Sequence, residues 1–286
     1  MAAYDDLTLV RVAKADRVAV ATIDNPPINL MTLPLFGELA ALAERIAADD
    51  DVSVLVLRSA DPDFFIAHFD VAAILSFPAD RPAERSPALN GFHAMTERFR
   101  TMPKVTIAEI GGRVGGGGSE LAAAFDLRYG VRGRTVINQM EVPLGILPGG
   151  GGTQRLPRLI GRGRAIEVIM GGGDLDAETA ERWGYLDRIF APGEITPFVD
   201  ALAARIASFP PEAVRAAKLS VNAADLPLEQ GLIEEAYLFQ TLLRTEPAQR
   251  NMARFLEIGG QTREGELRMG ELCAELGAGA YAQSSI

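Results

Sequence analysis

The sequence predicts an α/β protein built from strand-pair-and-helix units and closed by a helical C-terminal region. Three observations carry that expectation. Short β-branched or alternating runs recur between helical patterns through the first two thirds of the chain. Two glycine runs, Gly115–Gly118 and Gly149–Gly152, each lead into a helical pattern. From about Thr196 the periodicity is helical almost to the end. The order lacks the strict strand–helix alternation of a doubly wound sheet.

The elements follow in chain order. LTLVRV and RVAVATID alternate and flank the turn AKAD, so they read as a hairpin. NPPINLMT (25–32) is turn chemistry. Leu35, Leu39, Leu42 and Ile46 then fall at helical spacing, opposite Glu38, Glu44 and Arg45. VSVLVLRS (52–59) is a buried strand. FPADRPAERSPALN (77–90) is rich in proline and charge and reads as a mobile rim. GFHAMTERFR (91–100) returns to helix, and KVTIAEI (104–110) is a strand. SELAAAF starts a helix with Ser119 as its N-cap. LRYGVR and TVINQ are short strands joined by a hairpin turn, and TQRLPRLIG is a helix N-capped by Thr153. The expected division is a core over 1–195 and a helical, oligomer-forming region over 196–286.

Composition bounds the function. The chain has 286 residues, 48% of them hydrophobic and 23% charged, which is enough for a sizeable core. A net charge of −10 argues against non-specific binding to nucleic acid or anionic membranes. It leaves room for a phosphorylated small molecule held by a local basic group. One cysteine, Cys273, excludes an internal disulfide and a Cys-based zinc site; two histidines, His68 and His93, exclude a His-rich metal site. No apolar run is long enough to span a bilayer, and the acidic N-terminus has no signal-peptide core. A cytoplasmic protein without a metal is expected.

The chemistry concentrates in GGRVGGGGSELA (111–122), where six of the eight residues from Gly111 to Gly118 are glycine. The spacing fits neither a P-loop, which needs Lys after its last glycine, nor a dinucleotide fingerprint. It fails as a nucleophile elbow too, since Leu121 stands two residues after Ser119. A glycine turn at a helix start offers exposed backbone N–H groups and the positive end of the helix dipole, which suits an oxyanion such as a thioester enolate. Close packing of strand on helix explains the same glycines equally well. Glu120 reads on its own as a dipole partner, Glu141 as a loop acid, Asp126 as structural, Trp183 as core, and RLPRLIGRGR (155–164) as a solvated helix face.

Four segments together resemble the crotonase superfamily, the enoyl-CoA hydratase/isomerase family. They are NPPINLMTLPLFGEL (25–39), FFIAHFDVAAI (64–74), PKVTIAEIGGRVGGGGSELAAAFDLRYG (103–130) and EVPLGILPGGGGTQRLPRLIG (141–161). The resemblance runs from about residue 5 to 260. It implies a crotonase-like spiral of repeated β-β-α units with a C-terminal helical trimerisation region. It also implies homotrimers, often paired into hexamers, acyl-CoA thioester substrates, and no cofactor. The N–H groups of Phe69 and Gly117 would form the oxyanion hole, Glu120 would orient and activate water, and Glu141 would deliver the α-proton. Ala67, His68, Asp70 and Gly116 would complete the substrate-binding loops.

Three departures stand out. The first oxyanion loop usually reads Ala-Gly-Ala-Asp and here is Ala67-His68-Phe69-Asp70. Met140 replaces the usual proline before the second acid, and the connection between the acids is slightly longer, which the turn GVRGR would absorb. Two acids favour hydration over the alternative, double-bond isomerisation or another acyl-CoA reaction on the same scaffold. RNA binding, known in some members, would need a basic stripe, and the helix at 35–49 carries only Arg45. His68 and Phe69 raise the further alternative of a catalytically silent member.

Overall fold

The computed structural model describes residues 4–80 and 82–281. The first third holds β1 (Val10–Ala15), β2 (Val18–Ile23), α1 (Leu33–Ala48), β3 (Val54–Ser59), β4 (Phe64–Ile66), α2 (Val71–Leu75) and α3 (Gly91–Thr101). The middle holds β5 (Val105–Ile110), β6 (Arg113–Gly115), α4 (Gly116–Ala122), β7 (Leu127–Val131), β8 (Val136–Asn138), α5 (Gly152–Ile160) and α6 (Arg162–Gly171). Next come β9 (Leu175–Asp176), α7 (Ala177–Trp183), β10 (Arg188–Phe190), α8 (Ile195–Ala207) and α9 (Pro211–Asn222). The chain ends with α10 (Leu228–Leu242), α11 (Glu246–Glu257), α12 (Arg263–Leu267) and α13 (Met269–Tyr281).

Two sheets arise because successive strands are dealt out alternately. The larger has the order β1-β2-β3-β5-β7-β10 and the smaller β4-β6-β8-β9. In β3/β4, β5/β6 and β7/β8 the first strand joins the large sheet and the second the small one, and helices intervene before the next pair. Apart from the antiparallel pairs β1–β2 and β8–β9, the ladders are parallel. This is the predicted spiral of β-β-α units. Leu55, Leu57, Ala108 and Ile110 face a core shared with α1 and α3, whose Leu35, Leu39, Leu42, Ile46, Met95 and Phe99 are buried. Val54, Val56 and Ile107 point to the opposite face, which α8 covers with Val199, Ala203 and Ala207.

Two turns differ from the sequence reading. The first hairpin turns at Asp16–Arg17, not across AKAD, because Lys14 and Ala15 pair with Ala19 and Val18. Both turn residues have positive φ (46° and 64°), as a tight two-residue hairpin requires. Arg17 is held there by bonds from its guanidinium to Ser53 Oγ and the Asp50 carbonyl, each 3.0 Å. LRYGVR and TVINQ are not a hairpin either: β7 and β8 lie in different sheets. Thr135 Oγ1 donates to the Ile110 carbonyl at the corner between them.

Both predicted helix caps shift toward the chain start. α4 begins at Gly116 behind Gly115, so Ser119 lies inside it; α5 begins at Gly152 behind Gly151, so Thr153 sits in its first turn. Glycine lets these helices start early, since the Ala67 carbonyl packs where a side chain at 115 would stand and the Arg155 guanidinium where one at 151 would stand. A Cβ on Gly112, Gly115 or Gly118 would lie 2.2, 2.5 or 2.7 Å from the carbonyl oxygen of Asp63, Ala67 or Ile66. These three glycines therefore let the β6–α4 segment lie close along the β4 segment, and Gly118 on Ile66 is the strand–helix contact among them.

The described residues of 77–90 are exposed and carry no helix or strand. Residue 81 in that stretch, and 282–286 of the C-terminal region, lie outside the described residues. Asp126 is structural: its Oδ2 accepts from Thr106 N (2.8 Å), Thr106 Oγ1 (3.0 Å) and Lys218 Nζ (2.7 Å), tying α9 to the sheet. Trp183 packs against the core. No helix among the described residues is long and apolar enough to cross a membrane.

Candidate active site

Two loops meet at the site. The loop after β4 is anchored by a bridge between Met31 and Phe69, with Met31 N donating to His68 O (2.9 Å) and Asp70 N to Met31 O (3.0 Å). Asp70 ends it by capping α2 through Ala72 N. The other loop is the β6–α4 junction, where Gly116 takes φ +46°. A Cβ on Gly117 would stand 3.1 Å from Phe69 Cβ and 3.6 Å from Phe69 N, so the two backbones run close together. Among the described residues, neither the Phe69 nor the Gly117 N–H has an acceptor. Two unengaged donors therefore sit side by side at a helix start, where the dipole adds positive potential.

The acids are held differently. Glu120, 3% exposed, accepts through Oε1 from Gly150 N and Gly152 N, each at 2.8 Å. Burial pushes its pKa up, and those amides pull against the shift. Glu141 is 8% exposed, and its Oε2 is buried without a hydrogen-bond partner. Burial first, and the charge of Glu120 second, push its pKa to about 7. Behind Glu120, Ser119 Oγ and Tyr185 Oη lie 2.9 Å apart, and Tyr185 also donates to Ser119 O.

Both acids face a cavity of 610 Å³ whose walls are otherwise mostly apolar. Phe69 puts its ring into that wall. It meets Phe36 and Phe92 edge-on, with centroids 6.4 and 6.1 Å away, while those two stack at 6.0 Å. Phe77 closes on Phe69 from the rim, 6.5 Å away. A side chain at this loop position thus narrows the cavity without occupying the two donors.

The enoyl-CoA hydratase/isomerase family profile matches residues 13–263 of this chain. This chain belongs to the enoyl-CoA hydratase/isomerase family. It is 31% identical to the crotonyl-CoA hydratase of Syntrophomonas wolfei, over 89% of this chain and 96% of that protein. It is 30% identical to the short-chain-enoyl-CoA hydratase of Clostridium acetobutylicum, over 88% and 96%. Among solved structures, Pseudomonas aeruginosa DspI superposes with a TM-score of 0.80 at 32% identity, covering 90% of this chain and 97% of that one.

Within this family member, Phe69, Gly117, Glu120 and Glu141 come together on the cavity wall. Ala67, His68, Asp70 and Gly116 lie in the same loops but outside that wall. Ala67 is buried, and His68 Nδ1 lies 2.8 Å from Phe69 O. A Cβ on Gly116 would touch Glu141 Oε1 at 3.1 Å and His68 Cβ at 3.2 Å, so Gly116 spaces the acid from the loop. No group of three His, Cys, Asp or Glu that could hold a metal occurs among the described residues.

Sequence reasoning missed several contributors. The amides of Gly150 and Gly152 carry no side-chain signal. Gln139 is fully buried with both amide atoms unpartnered, and its Oε1 and Glu120 Oε1 would each lie 3.1 Å from a Cβ on Gly152. Arg155, expected on a solvated face, turns inward: its side chain is only 13% exposed and pairs with Glu97 at 2.5 Å. Its place four residues after Gly151, one turn into a glycine-opened helix, was the available clue.

Proposed function

We propose that this protein hydrates the 2,3 double bond of an α,β-unsaturated acyl-CoA thioester. The observation that carries this reading is a pair of carboxylates in one apolar cavity, in unlike environments, beside two unengaged backbone donors. The N–H groups of Phe69 and Gly117 receive the thioester oxygen as it gains charge; losing one such donor costs about 3–4 kcal/mol. Glu120, ionised and fixed by backbone amides, orients water and takes its proton. The hydroxyl adds at the β-carbon while the protonated Glu141 gives its proton to the α-carbon. The cycle closes when Glu120 returns its proton and Glu141 regains one from solvent. The reaction requires no metal or redox cofactor. The named hydratases of S. wolfei and C. acetobutylicum support the same reaction class.

The exposed apolar faces of the C-terminal helices fit a trimer or a dimer of trimers, as the family resemblance implies. The decisive experiment follows the ultraviolet absorbance of crotonyl-CoA and of longer and branched 2-enoyl-CoAs. Loss of the conjugated absorbance with formation of the 3-hydroxyacyl product is the expected result. Conversion of a 3-enoyl-CoA to the 2-enoyl isomer, with no water taken up by any 2-enoyl-CoA, would instead make the protein an isomerase.

A further inference from the structure

We infer that Arg155 is a positioning residue that fixes the Gly150–Gly152 backbone as a three-amide cradle, so that Glu120 takes the ionised role in the acid pair. The kinetic part of this inference rests on the proposed hydration; the structural part does not.

Arg155 reaches from the first turns of α5 to the underside of the loop. Nη1 donates to the Gly150 carbonyl at 3.3 Å, and Nη2 to Thr96 Oγ1 at 3.2 Å and Glu97 Oε1 at 2.5 Å. A Cβ on Gly151 would lie 2.0 Å from Nη1, so the guanidinium is pressed against the loop itself. Gly151 has φ +114°, which suits glycine.

A trans peptide sends its carbonyl and its N–H in opposite directions. With the Gly150 carbonyl held on Arg155, the Gly151 N–H of the same peptide turns to the other side, where Gly150 and Gly152 already donate to Glu120. Successive N–H groups arranged this way form an anion-binding nest. If that peptide flipped, a carbonyl would face the carboxylate and the nest would be lost. Glu97 keeps the arginine in place: its Oε2 accepts from Arg100 Nε at 3.0 Å, which leaves Oε1 for Arg155.

The charged and titratable groups around Glu120 are few. Arg155 approaches from α5, with Glu97 behind it on α3. Glu141 stands across the cavity. Tyr185, following α7, reaches Ser119 on the back of α4, with Arg128 near it. Arg155 is the cation that opposes the effect of burial on Glu120, and the loop amides act in the same sense.

The test reads Glu120 directly and needs no substrate. Carboxyl ¹³C NMR titration of glutamate-labelled full-length protein compares wild type, Arg155→Met and Arg155→Lys, with Glu120→Gln to assign the signal. The Glu120 midpoint should rise by on the order of one pH unit in Arg155→Met. If the hydratase reading holds, kcat should also fall about tenfold or more, with its acid limb displaced upward and KM little changed. A folded Arg155→Met with an unmoved midpoint overturns the inference. Should that variant fail to fold, Arg155→Lys decides. One ammonium cannot serve Gly150 and Glu97 as the planar fork does, so its midpoint should still rise; wild-type behaviour would overturn the proposal.

Discussion

Glu120 and Glu141 face one cavity but are held in opposite ways: Glu120 accepts two backbone N–H groups at 2.8 Å, while Glu141 Oε2 is buried with no partner. Burial pushes the pKa of the first carboxylate up, and two backbone amides oppose that push and fix its direction. The second is favoured as the neutral acid. That asymmetry is what a pair sharing one water needs.

Glu141→Gln should therefore abolish hydration and leave acyl-CoA binding intact. The amide keeps the shape of the neutral acid but has no proton to give. A fall in kcat of at least ~10²-fold with a nearly unchanged Kd is expected, measured by turnover and calorimetry on one preparation. Near wild-type turnover would remove Glu141 from the mechanism.

The same carboxyl makes activity and stability depend on pH. With its pKa pushed to about 7, Glu141 loses its proton as pH rises through neutrality, so under the proposed mechanism kcat should fall there. Its folded pKa exceeds the ordinary 4.5, so the native state binds the extra proton between those values. That stabilisation is complete below about 4.5 and is lost as pH rises through about 7, at about 1.4 kcal/mol per pH unit. Glu141→Gln escapes the loss. Denaturant unfolding at pH 5 and pH 8 should show the variant gaining roughly 1–3 kcal/mol over wild type between the two conditions. An equal gap at both would contradict the burial argument.

Phe69 sets the width of the acyl cavity through its contacts with Phe36, Phe92 and Phe77. Phe69→Ala should cost about 1–3 kcal/mol of stability, since the ring is only half-buried. It keeps the Phe69 backbone donor, so the proposed oxyanion hole would survive. The kcat/KM ratio of long or branched over short enoyl-CoAs should rise about tenfold or more. A uniform loss across all chain lengths would place the ring outside the acyl path.

The C-terminal helices should hold a trimer or hexamer. Neither α10 nor α11 has a buried residue, yet Leu232, Ile233, Tyr237 and Phe239 on α10 and Leu256 on α11 are exposed apolar side chains. Closed symmetry of order three would cover such a face. Light scattering at micromolar concentration should give three or six times the mass of one chain. Truncation after Phe209 should yield an insoluble or inactive core. A monomeric full chain, or an active truncated monomer, would refute the assembly.

The sequence by itself determined the α/β class, the buried face of α1, the central strands and the family, and it singled out Glu120 and Glu141, which line one cavity. Each is written in local periodicity or in a contiguous motif: Leu35, Leu39, Leu42 and Ile46 are buried wherever that helix packs, because spacing alone puts them on one face. What only the tertiary structure decided concerns groups distant along the chain or lacking a side chain. The partners of Glu120 are amides 30 and 32 residues away. The caps moved to Gly115 and Gly151 because the close approach of the Ala67 carbonyl to the first and of the Arg155 guanidinium to the second, not a capping hydroxyl, governs those turns. Strands β7 and β8 separated into two sheets although the turn between them looked like a hairpin. Arg155 turned inward because Glu97 and the Gly150 carbonyl were there to receive it, and the Phe69 ring found its place among Phe36, Phe77 and Phe92. Propensity reports how a residue suits its own segment; the group it meets across the fold is set by how the segments pack.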